Sequence, residues 1–419
     1  MSFEAGERLL KVLMAQKYHY RRGGDSVYMF NLSGLLREKG HQVAHFSMNH
    51  PQNIESEYEG YFTSELDFPA LLDRRSLSAG WKVLTRSIYN REARDRMLSL
   101  IDDFKPDIAH FHNIHDHLTT SILDPLSQRG VPVVWTLHDY RPVCPNSNFL
   151  SGNQICERCL PGKFYNIFLH RCKKQSVAAS LVAMLASYSD RMRGVYGRVR
   201  RFIAPSGFMK SKLSEGGIES ERISVLPNFM DTGDYGVSDR EGDYIIYFGR
   251  LSFEKGVDTL LRAFRGVESV RLVVAGEGPE RKNLQELAAE LNLASVEFAG
   301  FIKQPELREL VAESRFVILP SRWYENLPFS VMESMALGKA VVASEIGGIP
   351  EMVEDGVNGL LFPPEDQGRL REALQKLLAE PGTRKDMGRL GRKKAERLYS
   401  SEVHYQGIID IYRELTQDR

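Results

Sequence analysis

The chain lacks most features that would mark it as secreted, membrane-spanning or nucleic-acid-binding. Only four of its 419 residues are cysteine, which in a cytosolic chain points to metal ligands or free thiols before disulfides. Its 55 basic residues cancel its 55 acidic ones, so no global field recruits nucleic acid. The longest apolar run, Val177 to Ala186, falls far short of the ~20 residues a spanning helix needs. The opening MSFEAGERLL has no basic stretch ahead of an apolar core and does not read as a signal peptide. A cytoplasmic protein is the expectation. Its length exceeds one ordinary core, so two domains are expected.

What is present is an alternation of strand, loop and helix. LLKVLMA (Leu9 to Ala15) reads as a strand, followed by a loop with Arg21, Arg22, Gly23 and Gly24. Asp25 to Glu38 then carries a helical apolar face through Val27, Phe30, Leu35 and Leu36. Asp25 or Ser26 is placed to cap this helix and Gly40 to end it. QVAHFSM, PDIAHF and VPVVWTL are further strands, and YIIYFGR, VRLVVAG, VEFAG, RFVILPS and KAVVAS repeat the theme later. The pattern predicts an α/β fold of two Rossmann-like, doubly wound domains facing a cleft. The polar stretch 229–243 reads as a linker between an N-terminal domain at 1–228 and a second at 244–400, with a C-terminal helix at 401–419. Ligands of such sheets sit beyond the carboxyl ends of the strands. That rule gathers Gly23, Gly24, His112, His138, Arg250, Gly276, Gly300 and Ser321 toward one cleft.

The most informative stretch is SRWYENLPFSVMESMALGKAVVAS, Ser321 to Ser344. A strand leads into a loop and then a helix starting near Pro328, and proline suits the first helical position because the donor it lacks has no partner there. The amides of Phe329 and Ser330 would then be free at a helix amino terminus, an anion site. A carboxylate beside a phosphate is repelled, so Glu325 and Glu333 are expected to meet hydroxyls, Glu325 on a sugar and Glu333 on a ribose. In FGRLSFEKG, Arg250 closes a strand and Lys255 follows before the next helix; two such cations suit a diphosphate. VVWTLHDYRPVCPN begins as a buried strand and ends in His138, Asp139 and Cys144.

The ordered set of motifs resembles the family 4 glycosyltransferases, retaining enzymes of the GT-B fold. The likeness runs through Gly23-Gly24, His138-Asp139, APSGFMKSKL, GRLSFEKG, VVAGEGP, FAGFI, E-N-L-P-F-S-V-M-E and GGIPEMVEDGVNGLLF. It implies transfer of a sugar, with retention, from a UDP-type nucleoside-diphosphate sugar to a hydroxyl of a glycan or lipid-linked acceptor. Cell-surface polysaccharide or glycolipid synthesis is the implied setting, with the acceptor on the N-terminal domain. By the resemblance Arg250 and Lys255 hold the diphosphate, and Gly23, Gly24 and Gly276 permit close backbone approach. Phe301 and Ile302 take the base, and Glu333 the ribose. Glu325 contacts the transferred sugar, helped by Asn326, Leu327, Phe329 and Ser330, with His138 as the catalytic histidine beside it. Ser26 stands where the family's first loop has glutamate, which leaves that contact without a counterpart. No Asp-x-Asp occurs, so catalysis is expected to need no metal cofactor. Two alternatives share the donor: an epimerase of the same fold and a non-catalytic sugar-nucleotide sensor.

Two further clusters carry open readings. HFHNIHDH, His110 to His117, has ligand-like spacing and reads as a metal site or as cleft wall. Cys144, Cys156, Cys159 and Cys172 frame an insertion at 144–172 and form a candidate structural zinc site, with buried or free thiols and disulfides as alternatives. The first half of that insertion holds few large apolar residues, so folding on burial alone is not expected. From Glu157 to Lys212, twelve Lys or Arg face two acids. With Arg74, Arg75, Trp81, Lys82 and Arg86 they predict peripheral contact with an anionic membrane, at ~1 kcal/mol per basic residue near the surface; a solvated basic face is the alternative.

Overall fold

In the computed structural model, residues 8–65, 85–238, 240–267 and 269–417 are described. Strands β1 (Lys11–Tyr18), β2 (Gln42–Met48), β3 (Ile108–Phe111) and β4 (Val133–Thr136) come first. A short antiparallel hairpin, β5 (Leu150–Ser151) and β6 (Gln154–Ile155), precedes β7 (Arg201–Ala204) and β8 (Ile223–Val225). The helices among them are α1 (Gly24–Glu38), α2 (Arg91–Phe104), α3 (Leu123–Gln128), α4 (Tyr165–Leu169), α5 (Val177–Met192) and α6 (Gly207–Glu215). Apart from the hairpin, these strands form a parallel sheet in the order β2-β1-β3-β4-β7-β8.

The second sheet contains β9 (Tyr244–Phe248), β10 (Arg271–Ala275), β11 (Val296–Gly300), β12 (Val317–Leu319), β13 (Val341–Ser344) and β14 (Gly359–Phe362). It too is parallel, in the order β11-β10-β9-β12-β13-β14. Its helices are α7 (Val257–Phe264), α8 (Arg281–Glu290), α9 (Glu306–Glu313), α10 (Phe329–Ala336), α11 (Ile349–Met352), α12 (Gln367–Ala379) and α13 (Pro381–Leu398), and α14 (Ser401–Thr416) closes the chain. Strands IAHF, VVWT, YIIYF and VVAS are buried along their whole length, as helices on both faces of a parallel sheet require. Strand order reverses between β1 and β3 in one sheet and between β9 and β12 in the other, the positions at which sheets of this kind take their ligands.

Local departures from expectation have physical causes. β1 starts at Lys11, leaving Leu9 61% exposed, and continues to Tyr18 through an irregularity after Ala15. Gly23, rather than Asp25 or Ser26, is the N-cap of α1. Ser26 works from inside the first turn, its Oγ accepting from the amides of Arg22 (2.9 Å) and Gly23 (3.1 Å). Asp25 turns away, accepting from Gln16 Nε2 (3.0 Å) and Asn113 Nδ2 (3.2 Å).

The last helix crosses back to the first sheet. Tyr28 and His404 are hydrogen-bonded at 2.8 Å, and His110 and Tyr412 at 2.6 Å. Ile408, Ile409 and Tyr412 share a core with Val12, Met14 and Tyr28. The chain therefore passes between the sheets twice, and the two passages touch: Met230 donates to the Tyr399 carbonyl at 2.9 Å and forms a parallel bridge with Ser400. Among the described residues no helix is long and apolar enough to cross a membrane. Arg74, Arg75, Trp81 and Lys82 lie outside the described residues, and Arg86 is occupied by Glu92 (2.9 Å) and Ser64 (3.0 Å).

Candidate active site

The loop from β12 to α10 forms one wall of the cleft. Glu325 is 5% exposed and accepts at one oxygen from Lys255 Nζ and Ser321 Oγ, both at 2.6 Å. Burial pushes its carboxyl upward, but the Lys255 charge and the hydrogen bonds outweigh this and hold it below its ordinary value. Two glycines let this loop pack so tightly. A Cβ on Gly347 would sit 2.3 Å from the Glu325 carbonyl, and one on Gly348 1.8 Å from the Asn326 carbonyl. Gly348 also donates its amide to the Glu325 carbonyl at 2.7 Å.

Pro328 is the N-cap of α10 rather than its first helical residue, and helix begins at Phe329. The amides of Val331 and Met332 return to the Pro328 carbonyl, which leaves those of Phe329 and Ser330 unspent at the first turn. Across the cleft, Gly24 is so close that a Cβ there would meet the Phe329 ring at 3.1 Å. Gly23, Gly24 and the amino end of α10 are thus brought together.

At the end of β9, Arg250 is exposed, and its guanidinium has no hydrogen bond or ion pair among the described residues. Lys255 is held by Glu325 and lies over the Trp323 ring at 5.3 Å. Gly276 ends β10 at φ +151, where a Cβ would fall 1.9 Å from the Gly249 carbonyl, beside Arg250. Phe301 is 71% exposed just past β11, a bare ring at the cleft end of the sheet, while Ile302 packs against the core. Leu327 is buried as an anchor of the loop. Glu333 has no hydrogen-bond donor among the described residues; burial pushes its carboxyl up to about 7, only partly offset by the Arg308 guanidinium.

His138 follows β4 and faces this loop from the other domain, its carbonyl accepting from Asn326 Nδ2 at 2.7 Å. Its Nε2 lies 3.3 Å from His112 Nδ1, and its ring meets Tyr28 edge-on at 5.0 Å. Burial drives it down to about 4 against the pull of Asp25, so it is neutral at pH 7. A neutral imidazole serves as a hydrogen-bonding group; it is not poised to deliver a proton.

Three residues whose partners the sequence did not reveal also shape the cleft, two of them by tying the domains together. Tyr324, adjacent to Glu325, donates to Glu157 at 2.8 Å, and Lys212 pairs with the same carboxylate at 3.0 Å. Glu351 accepts from the amides of Gly207 and Phe208 at 2.8 and 2.7 Å, capping α6 from the opposite domain. Asp25 is the third, a half-buried carboxylate beside His138; its sequence signal, an acid immediately after a glycine pair, read as a helix cap.

The metal readings do not find their geometry. Among the described residues no group of three or more His, Cys, Asp or Glu is set to hold a metal ion. His110 is spent on Tyr412 and on Thr136 (2.7 Å), and His115 stacks on Trp135. All four cysteines are free thiols, Cys144 and Cys159 buried, Cys156 and Cys172 half-buried. Burial, aided by the other three thiols, pushes Cys159 up to about 12. Burial contributes to the order of the insertion. The rings of Tyr140 and Phe149, each residue 1% exposed, pack at a tilt with centroids 4.8 Å apart, and Phe149 also meets Tyr324. A few aromatic residues well placed do what their number did not promise.

Comparison with known proteins agrees with this layout. Residues 22–234 match the family described as Glycosyltransferase Family 4, and residues 236–394 match Glycosyl transferases group 1. An alpha-D-kanosaminyltransferase of Streptomyces kanamyceticus is 30% identical over 43% of this chain, which spans about half (47%) of that relative's length. Among solved structures, a sucrose-phosphate synthase from Thermosynechococcus elongatus superposes with TM-score 0.69 at 18% identity, over 98% of this chain and 100% of that one. The Anabaena protein HepE in complex with UDP-glucose gives TM-score 0.67 at 17% identity, over 97% and 100%. At such identities the structures speak for the fold, two Rossmann-like domains facing a cleft.

Proposed function

The chain belongs to glycosyltransferase family 4, and from that premise we propose that it moves a sugar from a UDP-type nucleoside-diphosphate donor to a hydroxyl of an acceptor held by the N-terminal domain. One observation carries the reading. Among the described residues, an Arg250 without a hydrogen bond or ion pair and a Lys255 whose one ion pair is with Glu325 flank the switch point of the second sheet, together with two amides of α10 left without a backbone acceptor. Guanidinium, ammonium and helix amino terminus make a diphosphate clamp without a metal. HepE, of the same fold, has been solved in complex with UDP-glucose, which favours uridine.

In this reading Phe301 stacks on the base and Glu333 accepts from the ribose hydroxyls. Binding of the diphosphate draws Lys255 away from Glu325, whose carboxylate then accepts from the sugar. Asn326 has a buried Oδ1 without a partner among the described residues, available to the same sugar. His138, neutral, hydrogen-bonds the sugar on its other side and stabilises it as the bond to the leaving phosphate opens. The clamp stabilises the departing charge, and a phosphate oxygen accepts the acceptor's proton, which gives retention. The acceptor is a glycan or a lipid-linked chain met at a membrane surface, in cell-surface polysaccharide or glycolipid synthesis.

The test is calorimetry with UDP on the wild type and Arg250→Ala, followed by product analysis with and without acceptor. Unchanged UDP affinity in the variant would refute the clamp. A changed sugar nucleotide formed without any acceptor would mark an epimerase instead.

A further inference from the structure

Helix α5 is built inside out. Its buried face carries Ser180, Ala183, Ser187 and Asp190, small or polar residues. Its larger apolar side chains point to solvent: Val177 is 45% exposed, Leu181 37%, Leu185 36% and Met192 82%. Steps of four, four and seven residues keep these on one stripe of the helix, about 22 Å long at ~1.5 Å per residue. Beside the stripe, α4 adds Tyr165 at 47% and Leu169 at 63%. Tyr188 of α5 fixes α4 in place, its ring edge-on to Phe164 at 5.4 Å and its hydroxyl 3.2 Å from the Tyr165 amide. A ridge of this kind is costly to leave in water, because each exposed leucine forgoes burial.

The charges around it have one sign. Arg158, Lys163, Arg171, Lys174 and Arg191 are exposed, and none forms an ion pair among the described residues. Asp190 is the one acid from 158 to 192; it is buried, spent on Thr120 at 2.5 Å. The basic residues nearer the core are already neutralised: Lys173 pairs with Asp116, and Arg193 and Arg198 pair with Asp124.

We propose that the α4–α5 ridge is the surface by which this protein docks on an anionic lipid bilayer, the apolar stripe entering the headgroup–acyl boundary and the five flanking cations meeting lipid phosphates. Charge complementarity selects this occupant. A second copy of the chain, paired about a two-fold axis, would set these cations against their own equivalents. The inference deepens the reading of a membrane-borne acceptor and rests on it, but not on the donor clamp. The α4 end of the ridge lies in the insertion that Glu157 ties to Tyr324, and α5 follows directly after it, so docking there brings the lipid surface to the acceptor side of the cleft.

Sedimentation with liposomes of phosphatidylcholine alone, or with one third phosphatidylglycerol, tests this on the full chain. At low salt the protein should sediment with the anionic liposomes and stay in solution with the neutral ones. Leu181→Asp with Leu185→Asp, and separately Lys163→Glu with Lys174→Glu, should each weaken binding about tenfold or more while UDP affinity holds. Retained UDP affinity shows that a variant has folded and reads the donor clamp separately. Wild type that ignores anionic liposomes, variants that bind them at full strength, or equal binding to neutral liposomes would each overturn the proposal. So would a dimer, seen by light scattering, that Leu181→Asp dissolves, since the ridge would then be covered by a second copy.

Discussion

Lys255 Nζ stands 2.6 Å from Glu325 Oε1, with 19% and 6% of the two side chains exposed, so the cation of the proposed clamp is already paired in the free protein. The pair spans β9 and β12, the two strands between which the sheet order reverses. Its geometry predicts a specific non-additivity. Lys255→Ala leaves a buried carboxylate without a cation beside it among the described residues, held by Ser321, and should cost about 3 kcal/mol of stability. Adding Glu325→Gln to that variant removes the stranded charge and should restore part of the loss. Thermal melts of the two single variants and the double would show it; strictly additive losses would mean the pair is not coupled.

Arg250 should behave differently. Its guanidinium contacts no acceptor among the described residues, so Arg250→Ala leaves the melting temperature unchanged. UDP affinity should fall by about 1.5–3 kcal/mol, the worth of a hydrogen bond to a charged group. Calorimetry and a melt on one preparation separate the two effects.

Glu333 predicts a pH dependence of donor binding. Burial pushes its carboxyl up to about 7 in the free protein, and in the proposed reading it must be ionised to accept from both ribose hydroxyls. UDP affinity should therefore rise between about pH 6 and 8, with net proton release on binding. Glu333→Gln should bind more weakly and lose this dependence. Titrations in buffers of different ionisation enthalpy count the proton directly.

The N-terminal domain should be acid-sensitive. Burial holds His19, His117 and His138 down to about 4, and His110 and His404 to about 3. Below their ordinary value of 6.5 the unfolded chain binds protons that the folded chain refuses. Stability is thus fully present above pH 6.5 and is lost as the pH falls toward 4. His138→Ala should abolish most transfer while UDP still binds, and chemical denaturation across about pH 4–7 should show a shallower slope for this variant.

The cysteine insertion offers a ranking. Phe149→Ala removes a ring with 1% exposure and should cost about 3 kcal/mol or more. Cys156→Ser, at a half-buried thiol, should cost well under half as much. A zinc site built from all four cysteines would reverse the order and bring stoichiometric zinc through purification without chelator.

The motifs that lay within a few residues of one another were legible from the sequence. The run from Ser321 to Glu333 and the Arg250–Lys255 pair could be read because strand, loop and helix there follow in one short stretch. Partnerships between distant residues could not. Tyr324 and Glu157 are 167 positions apart, and Tyr28 and His404 are 376 apart, with no local pattern to join them. β7 hid among arginines, as Arg198, Arg200 and Arg201 made RFIA look like part of a basic surface. The run from Val177 had the composition of a core helix, and only its packing shows that the apolar residues face outward. The insertion misled by counting: few large apolar residues, but Phe149 in the right place.

The two interdomain passages, joined at Met230, Tyr399 and Ser400, act as a pair of leaves on one pin. A single strand between domains permits swivelling in any direction. Two strands hydrogen-bonded side by side resist twisting and sliding, and leave swinging about their common line as the soft motion. Each swing would then return Asn326 to the same carbonyl of His138 and Glu351 to the same turn of α6. The loop that carries Glu325 and Asn326 is thereby kept in alignment with His138 across the cleft by residues remote from both.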